Sequence, residues 1–287
     1  MKPAPFEWHG PEAVGAAVSL LAEHGPDAKV LAGGQSLVPL LAMRLTQPAH
    51  LVDINRVTEL DTVTITDDGI TIGALARHTR VERDDAVYRA QPLLRQALRL
   101  VAHPTIRNRG TCVGSVVHAD PAGELTAVLA VCGGSVTARS ATGTRTIAAA
   151  DFFLGPLTCA LTPDELAVSA RVPALPPGSG TAFVEVARRH GDYALCGVAA
   201  IADLDREGQL VRLRCGYLSV ADIPLVLELT DAWRSNPRDA AEQASRDVDP
   251  VTDLHATADY RRHLTRVLTI RAANQAISSA GERRSAA

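Results

Sequence analysis

The sequence predicts a mixed α+β fold in which two smaller units precede a carboxy-terminal antiparallel sheet with helices. Three observations predict it. Short apolar runs alternate with helical patterns near the amino terminus. The stretch "PALPPGSG" at 173–180 interrupts the periodic pattern with clustered Pro and Gly. Three alternating apolar runs then follow. We therefore place the units at 1–57 (α/β), 58–177 (α+β) and 178–287 (sheet plus helices).

The composition narrows the class of protein. Of the 287 residues, 46% are hydrophobic and 21% are charged, and the net charge is −3, which argues against general nucleic-acid binding. We expect no secretory signal and no transmembrane segment, because no apolar run is long enough to cross a bilayer. The five cysteines are scattered and form no C-x-x-C pair, a pattern typical of reduced thiols in the cytoplasm.

The first unit begins with a helical pattern from Pro11 to His24, which Gly25 ends. "AKVLAGG" reads as a buried strand that ends in glycines. "SLVPLLAMRL" predicts a helix with Ser36 as its N-cap, and "HLVDI" predicts a second strand.

In the second unit, "GITIGALAR" predicts a strand and "PLLRQALRLVA" a helix. We expect "TIRNRGTCVGSVVHADPAGEL" to be a loop, after which Pro121 opens a helix that Gly133 and Gly134 end. "SVTARS" and "TRTIAA" predict a hairpin, and "DELAVSARVP" predicts a further strand.

In the third unit, "TAFVEVARR", "ALCGVAAIADL" and "LVRLRCGYLSV" predict an antiparallel sheet. The tail after Pro237 predicts helices, with a frayed end at "GERRSAA".

Two separated loops carry the candidate chemistry. Gly33 and Gly34 stand where a strand passes into a helix, and unpaired N–H groups at such a turn accept a phosphate. A tight turn without a ligand explains these two glycines equally well. The second loop adds Gly, Thr and Ser with Asp120, groups that suit sugar or polyol oxygens. Together the loops indicate a dinucleotide or flavin, although G-x-G-x-x-G and P-loop motifs are absent.

Four ordered segments resemble the FAD-binding medium subunit of molybdenum hydroxylases, the carbon monoxide dehydrogenase and xanthine dehydrogenase group. They are "AGGQSLVPLLAMRLTQPAHLVDI", "ITIGALARHTRVE", "HPTIRNRGTCVGSVVHADPAGELTAVLAV" and "RRHGDYALCGVAA". The resemblance implies a two-subdomain FAD-binding (PCMH-type) fold over 1–57 and 58–177. It also implies FAD as cofactor, an iron–sulfur small subunit as electron donor and a molybdenum large subunit that oxidises the substrate, assembled as a dimer of heterotrimers. Neither a catalytic residue nor a metal ligand is expected in this chain.

The same resemblance assigns the cofactor-binding residues. The first loop would hold the pyrophosphate, the second loop the other side of the cofactor, Asp120 a sugar or ribityl hydroxyl, Leu161 the adenine end and Tyr193 the isoalloxazine. The full set is Ala32, Gly33, Gly34, Gln35, Ser36, Leu37, Thr111, Gly114, Ser115, Asp120, Leu161 and Tyr193.

One position departs from the family pattern. Val113 stands where the family has the first of two adjacent glycines. If that position needs positive φ, a β-branched residue costs about 1–3 kcal/mol there. Val113 favours one alternative to the electron-transfer subunit, a non-catalytic relative that has lost FAD. A second alternative, a stand-alone FAD-dependent oxidoreductase acting on a small molecule, also stays open.

Other polar residues near these loops have weaker cases. Cys112 with His118 suggests a thiol and its base, and His118 with Asp120 suggests a metal pair, but packing and hydrogen-bonding roles are favoured for both. Arg107 and Arg109 would face cofactor phosphate, a partner subunit or solvent. Arg188 and His190 are expected at the surface near Tyr193.

Overall fold

The computed structural model describes residues 2–285 and begins with a three-stranded parallel sheet in the order β1-β3-β2. The elements of this first part are β1 (Glu7–His9), α1 (Val14–His24), β2 (Ala28–Leu31), α2 (Leu37–Ala42) and β3 (His50–Asp53). Because β2 and β3 run parallel, the segments that follow them emerge at the same edge of the sheet. That edge carries the first glycine loop.

Helix α1 forms because its apolar residues recur at helical spacing. Val14, Ala17, Val18 and Leu21 are buried and pack with the main core. Gly25 then takes φ 51° and ends the helix. A 3-10 turn, Gly25–Asp27, leads directly into β2, so α1 covers one face of the small sheet.

The middle of the chain builds a five-stranded antiparallel sheet in the order β4-β5-β10-β6-β7. Short 3-10 turns at Ile54–Arg56 and Thr58–Leu60 precede it. Its elements are β4 (Val63–Thr66), β5 (Gly69–Gly73), α3 (His78–Arg83), α4 (Asp85–Ala90), α5 (Pro92–Leu98), α6 (Pro104–Arg107), α7 (Cys112–His118), α8 (Glu124–Val131), β6 (Ser135–Arg139), β7 (Thr144–Ala148), α9 (Ala149–Phe152), β8 (Phe153–Gly155), β9 (Thr158–Cys159) and β10 (Leu166–Pro173). Helices α5, α7 and α8 pack together, and α7 lies against the sheet.

The last part of the chain is a four-stranded antiparallel sheet that helices cover. Its elements are β11 (Ser179–Ala187), β12 (Ala194–Leu204), β13 (Leu210–Leu218), β14 (Leu225–Glu228), α10 (Thr230–Ser235), α11 (Pro237–Asp247) and α12 (Ala258–Ser285). Helix α12 approaches β11 so closely that a β-carbon at Gly180 would lie 2.1 Å from the main-chain nitrogen of Ala280. Within residues 2–285, no helix has the length and apolarity that a membrane crossing requires.

Helix α8 joins the middle of the chain to this last sheet. It packs on β12 and β13 as well as on α5 and α7. A β-carbon at Gly216 would lie 2.9 Å from the side chain of Val131 and 3.1 Å from the carbonyl oxygen of Ala127. The turn that precedes α8 is therefore held at the junction of the second and third units.

The predicted mixed α+β fold and the carboxy-terminal antiparallel sheet are confirmed, as is the 135–149 hairpin. The boundaries at 57/58 and 177/178 stay predictions. Ser36 occupies the predicted N-cap position of α2, although its side chain makes no capping hydrogen bond and its own backbone is already helical. One terminal feature was predicted wrongly. Helix α12 continues to Ser285 instead of fraying from Gly281; Ala286 and Ala287 lie outside the described residues.

The prediction of one long loop at 105–125 was wrong, because the segment contains most of α6 and all of α7. Helix α7 starts at the N-cap Thr111, whose side-chain oxygen accepts a hydrogen bond from Gly114 N–H. Ala119 takes φ 52° and ends it. The next helix, α8, begins at Glu124 and not at Pro121.

This helix removes the penalty predicted for Val113. The residue lies in the first turn of α7 with an ordinary negative φ, and it is not among the non-glycine residues in the left-handed region. Its side chain is 2% exposed and belongs to the main apolar core. Val113 thus fills the core and takes no space from a ligand.

Replacing Val113 by the family's glycine should therefore harm the protein. We expect Val113→Gly to lower the free energy of unfolding by about 2–4 kcal/mol, since it removes a buried side chain and adds a helical glycine. Val113→Ala should lose less. Urea denaturation measures both, and FAD titration should show no gain in affinity. A tighter cofactor complex in Val113→Gly would contradict this view.

Candidate functional site

The two glycine loops meet at Gly33. A β-carbon on this residue would lie 2.6 Å from the carbonyl oxygen of Arg109, 2.8 Å from the Cα of Gly110 and 3.0 Å from the nitrogen of Thr111. All three atoms belong to the backbone, which cannot turn away as a flexible side chain could. Glycine is therefore required here so that the two loops can touch.

The first loop presents a row of free main-chain donors. Gly34 takes φ 72°, a conformation that favours glycine. Within residues 2–285, the main-chain N–H groups of residues 33–37 donate no hydrogen bond. The loop is half-buried. The side-chain amide of Gln35 donates a hydrogen bond to the carbonyl oxygen of Gly33 at 2.9 Å, and the main-chain N–H of Gln35 stays free. Successive unpaired N–H groups of this kind form an anion-binding surface.

The second loop is, in the structure, the turn at 108–111 together with the first turn of α7, and its polar groups are bonded to one another. Thr111 is 2% exposed, and its Oγ1 accepts the N–H of Gly114 at 3.2 Å. A β-carbon at Gly114 would lie 2.5 Å from that oxygen, so any other residue would disturb the cap. Ser115 Oγ lies 2.9 Å from Nε2 of His78. Burial lowers the pKa of His78 to about 4, and the ring is therefore neutral at physiological pH.

Asn55 and Arg77 join the two loops, and sequence reasoning missed both. Asn55 Nδ2 donates to the carbonyl oxygen of Ala32 at 2.8 Å, and Arg77 donates to Asn55 Oδ1 at 2.7 Å. Arg77 also donates to the carbonyl oxygen of Arg109. This chain of bonds fixes the first loop to the second through side chains. Asn55 directly follows the predicted "HLVDI" strand, and that position at a strand's carboxyl end was the one available signal.

Asp120 and Tyr193 line one open cavity of about 380 Å³ at the junction with the last sheet. Asp120 Oδ1 accepts the N–H of Ala122 at 2.9 Å, which sets the turn before α8. Tyr193 is 64% exposed and follows Asp192, whose carboxylate pairs with Arg188 at 3.2 Å. The phenol and the Asp120 carboxylate are thus presented to the same space.

The remaining predicted residues have other surroundings. Leu161 is half-buried against the main core just after β9, a segment that packs near α7. Arg107 is buried and pairs with Glu82 at 2.8 Å, so it faces neither cofactor phosphate nor a partner. Arg109 is exposed. Burial raises the pKa of the Cys112 thiol to about 12, which excludes it as a nucleophile. Arg188 and His190 are exposed, as predicted.

Two carboxyl groups near this cavity titrate abnormally. Burial, and then the charge of Glu185, raises the pKa of Glu124 to about 8. Burial raises the pKa of Glu185 to about 7. Burial raises the pKa of the Tyr193 phenol, and the charges of Asp120 and Glu124 raise it further. Glu124 therefore lies near Tyr193, and the charge of Asp120 also raises the pKa of Glu124. Glu124, which holds its proton near neutral pH, therefore lies within electrostatic range of two residues that line the cavity.

These protons make stability depend on pH. Both glutamates have folded pKa values above the ordinary 4.5, so the native state binds more protons than the unfolded state between about pH 4.5 and 8, and stability falls as pH rises. We expect Glu124→Gln to flatten this fall, as measured by urea midpoints at both ends of that range. The exposed Glu207→Gln is the matched control. An unchanged slope in Glu124→Gln would refute the assignment.

The residues present fit a flavin dinucleotide. Such a cofactor carries an anionic pyrophosphate, a polyol and an aromatic ring system. The chain offers a row of unpaired N–H groups over 33–37, a carboxylate at Asp120 and an exposed phenol at Tyr193. The row of N–H groups touches the backbone of residues 109–111, and Asp120 follows the helix α7 that starts there. The arrangement provides binding groups and no nucleophile or base aimed at a substrate.

Comparison with known proteins agrees with this geometry. Residues 4–175 match the family "FAD binding domain in molybdopterin dehydrogenase", and residues 181–276 match "CO dehydrogenase flavoprotein C-terminal domain". The 6-hydroxypseudooxynicotine dehydrogenase complex subunit alpha of Paenarthrobacter nicotinovorans is 41% identical over 98% of this chain and 97% of its own length.

Solved structures show the same likeness. A chain of carbon monoxide dehydrogenase from Hydrogenophaga pseudoflava aligns with a TM-score of 0.90 and 34% identity over 99% of both chains. Quinoline 2-oxidoreductase from Pseudomonas putida 86 aligns with a TM-score of 0.90 and 34% identity over 98% of this chain and 99% of that one. The resemblance predicted from the loops is confirmed: this chain belongs to the FAD-binding flavoprotein subunits of the molybdopterin dehydrogenases.

Proposed function

We propose that this chain holds FAD across its two glycine loops and passes electrons from a partner's iron–sulfur clusters through the flavin to an acceptor. The observation that carries the proposal is the contact of Gly33 with the backbone of 109–111 beside a row of unpaired N–H groups. When bound, FAD supplies the redox chemistry, and the protein supplies binding and orientation.

The N–H groups of residues 33–37 would bind the pyrophosphate oxygens. These donors are free, half-buried and held in place by the Asn55 and Arg77 bonds. Anions bind such a row of amides well because the dipoles are oriented before the ligand arrives. Ala32 would contribute its backbone at the start of the loop, and its carbonyl is already committed to Asn55.

The second loop would bind mainly through its backbone and through Ser115. Thr111 is a positioning residue in this view, because its hydroxyl caps α7 and its side chain is buried. Gly114 allows that cap to form. The hydroxyl of Ser115 is hydrogen-bonded to the neutral ring of His78, and this bond fixes the orientation of the hydroxyl.

The last three residues would contact the rest of the cofactor. Asp120 has one carboxylate oxygen bonded to Ala122 N–H, which leaves the other available for a sugar or ribityl hydroxyl. Tyr193 would lie beside the isoalloxazine, since an exposed phenol at a cavity mouth can cover an aromatic ring. Leu161 would provide apolar contact at the adenine end.

The partner subunits follow from the relatives. One relative is a subunit of a dehydrogenase complex, and another is the medium chain of carbon monoxide dehydrogenase in Hydrogenophaga pseudoflava, 35% identical over 96% of this chain. We infer an iron–sulfur small subunit and a molybdenum large subunit for this chain, in a cytoplasmic complex. The substrate would then be chosen by the large subunit.

Both alternatives lose ground. A stand-alone oxidoreductase would need groups aimed at a substrate, and the site offers binding groups only. The idea of a relative that has lost FAD depended on strain at Val113, and that residue is helical and buried in the core. The single feature that favoured the loss of FAD is therefore absent.

Purification of the tagged chain from its native host tests the complex. We expect flavin and iron–sulfur absorption in one preparation, two additional subunits, and molybdenum and iron on metal analysis. Flavin without iron or molybdenum would instead support the stand-alone oxidoreductase. A colourless preparation that takes up no added FAD would contradict flavin binding altogether.

Gly33→Ala tests the loop contact. The new methyl group would collide with the backbone of 109–111, so the loops must separate and FAD affinity should fall by at least about tenfold. The flavin-to-protein absorbance ratio and FAD titration measure this. Gly15→Ala in α1 is the matched control, because nothing lies within 4 Å of its β-carbon. Equal FAD binding in both variants would show that the contact is irrelevant to the cofactor.

A further inference from the structure

Three histidines from separate elements converge on the face of the first sheet that α1 covers. His9 ends β1, His24 lies in the last turn of α1 and His50 begins β3. One nitrogen of each ring lies within 4.8 Å of a nitrogen of the other two, and all three residues are half-buried. Nothing in the proposed flavin function uses them.

The separations suit a shared ion. Two imidazole nitrogens bound to a tetrahedral Zn²⁺ are about 3.3 Å apart, given a Zn–N distance of about 2.0–2.1 Å. His9 Nε2 and His50 Nδ1 are 3.1 Å apart. The Glu7 carboxylate lies 3.8 Å from His50 Nδ1 and adds negative charge beside the cluster. Three imidazoles therefore leave a fourth position for water or this carboxylate.

The stacking of the imidazole rings shows which side chain must move before an ion can bind. His24 and His50 stack with centroids 3.7 Å apart and an interplanar angle of 8°, whereas His9 is tilted by 35° to His50. An imidazole lone pair lies in the plane of its ring, so two parallel stacked rings cannot both point at one ion. Binding must therefore turn His24 or His50 out of the stack about its side-chain torsions.

The cluster is separate from the flavin loops. His24 precedes β2 and His50 is the first residue of β3, so these two histidines lie near the amino ends of the strands, whereas the first loop follows the carboxyl end of β2. His9 pairs with Val52 further along β3, and its side chain reaches back to His50. A four-residue strand spans about 10 Å. An ion here would join α1 to β1 and β3 without contacting the cofactor.

The geometry points to a divalent transition-metal site formed by His9, His24 and His50, of the imidazole-preferring kind that Zn²⁺ represents. The ion cross-links three elements of the first unit and stabilises that unit. Neutral imidazole is the commonest metal ligand in proteins, and ligand binding to the native state raises stability by mass action.

Calorimetric titration of the FAD-loaded, metal-stripped chain with Zn²⁺ tests the site. We expect one equivalent to bind, a rise in melting temperature, and a tetrahedral d–d spectrum with Co²⁺. His24→Gln and His50→Gln should each weaken Zn²⁺ binding by at least about tenfold, since loss of a direct ligand exceeds the 10-fold effect of an outer-shell change. The exposed His263→Gln is the matched control and should bind as wild type does.

The result that overturns the proposal is Zn²⁺ affinity that is equal in wild type and His50→Gln, or a Co²⁺ spectrum of thiolate character, which would assign the ion to cysteine. Circular dichroism and FAD content establish that each variant is folded. If His50→Gln fails to fold, His9→Gln at the edge strand replaces it, and wild-type affinity in that variant equally refutes the site.

Discussion

The contact between Gly33 and the backbone of residues 109–111 is the constraint on which the site depends. It brings a loop from a parallel sheet against a helix start from the antiparallel part of the chain. Because the contact is backbone to backbone, only the absence of a side chain permits it. The Asn55 and Arg77 bonds then hold the loops in this position. The free amides of 33–37 thus have a fixed direction before any anion arrives.

Helix α8 connects the part of the chain that contains these loops to the last sheet. Its start follows the Asp120 turn, and its body packs under the last sheet at Gly216. The cavity that contains Asp120 and Tyr193 is therefore built from two units whose spacing one helix sets. The raised pKa values of Glu124 and Glu185 belong to the same junction, where burial disfavours their charge. An electron-transfer subunit needs a cleft that holds the flavin in place, and it needs no acid–base residue because the flavin carries the redox chemistry.

Most strands and the long helices could be predicted from the sequence, because they carry periodic apolar patterns. Gly33 and Gly34 were identifiable as a turn because a glycine pair follows an apolar strand, and the second loop and the family resemblance then indicated a ligand. Helix α7 was missed because "CVGSVVH" combines Gly with β-branched residues, and its helical form depends on the Thr111 cap and on packing. Val113 was misjudged for the same reason. Asn55 and Arg77 could not be found, since long-range polar bonds leave no periodic trace.

The decisive measurement is a structure of the chain with FAD bound. We expect pyrophosphate oxygens within hydrogen-bond distance of the main-chain nitrogens of residues 33–37, with the loops still touching at Gly33. We also expect Val113 to stay in its helix and out of contact with the cofactor. A pyrophosphate bound elsewhere, or loops that separate to admit it, would show that the contact at Gly33 does not form the cofactor site.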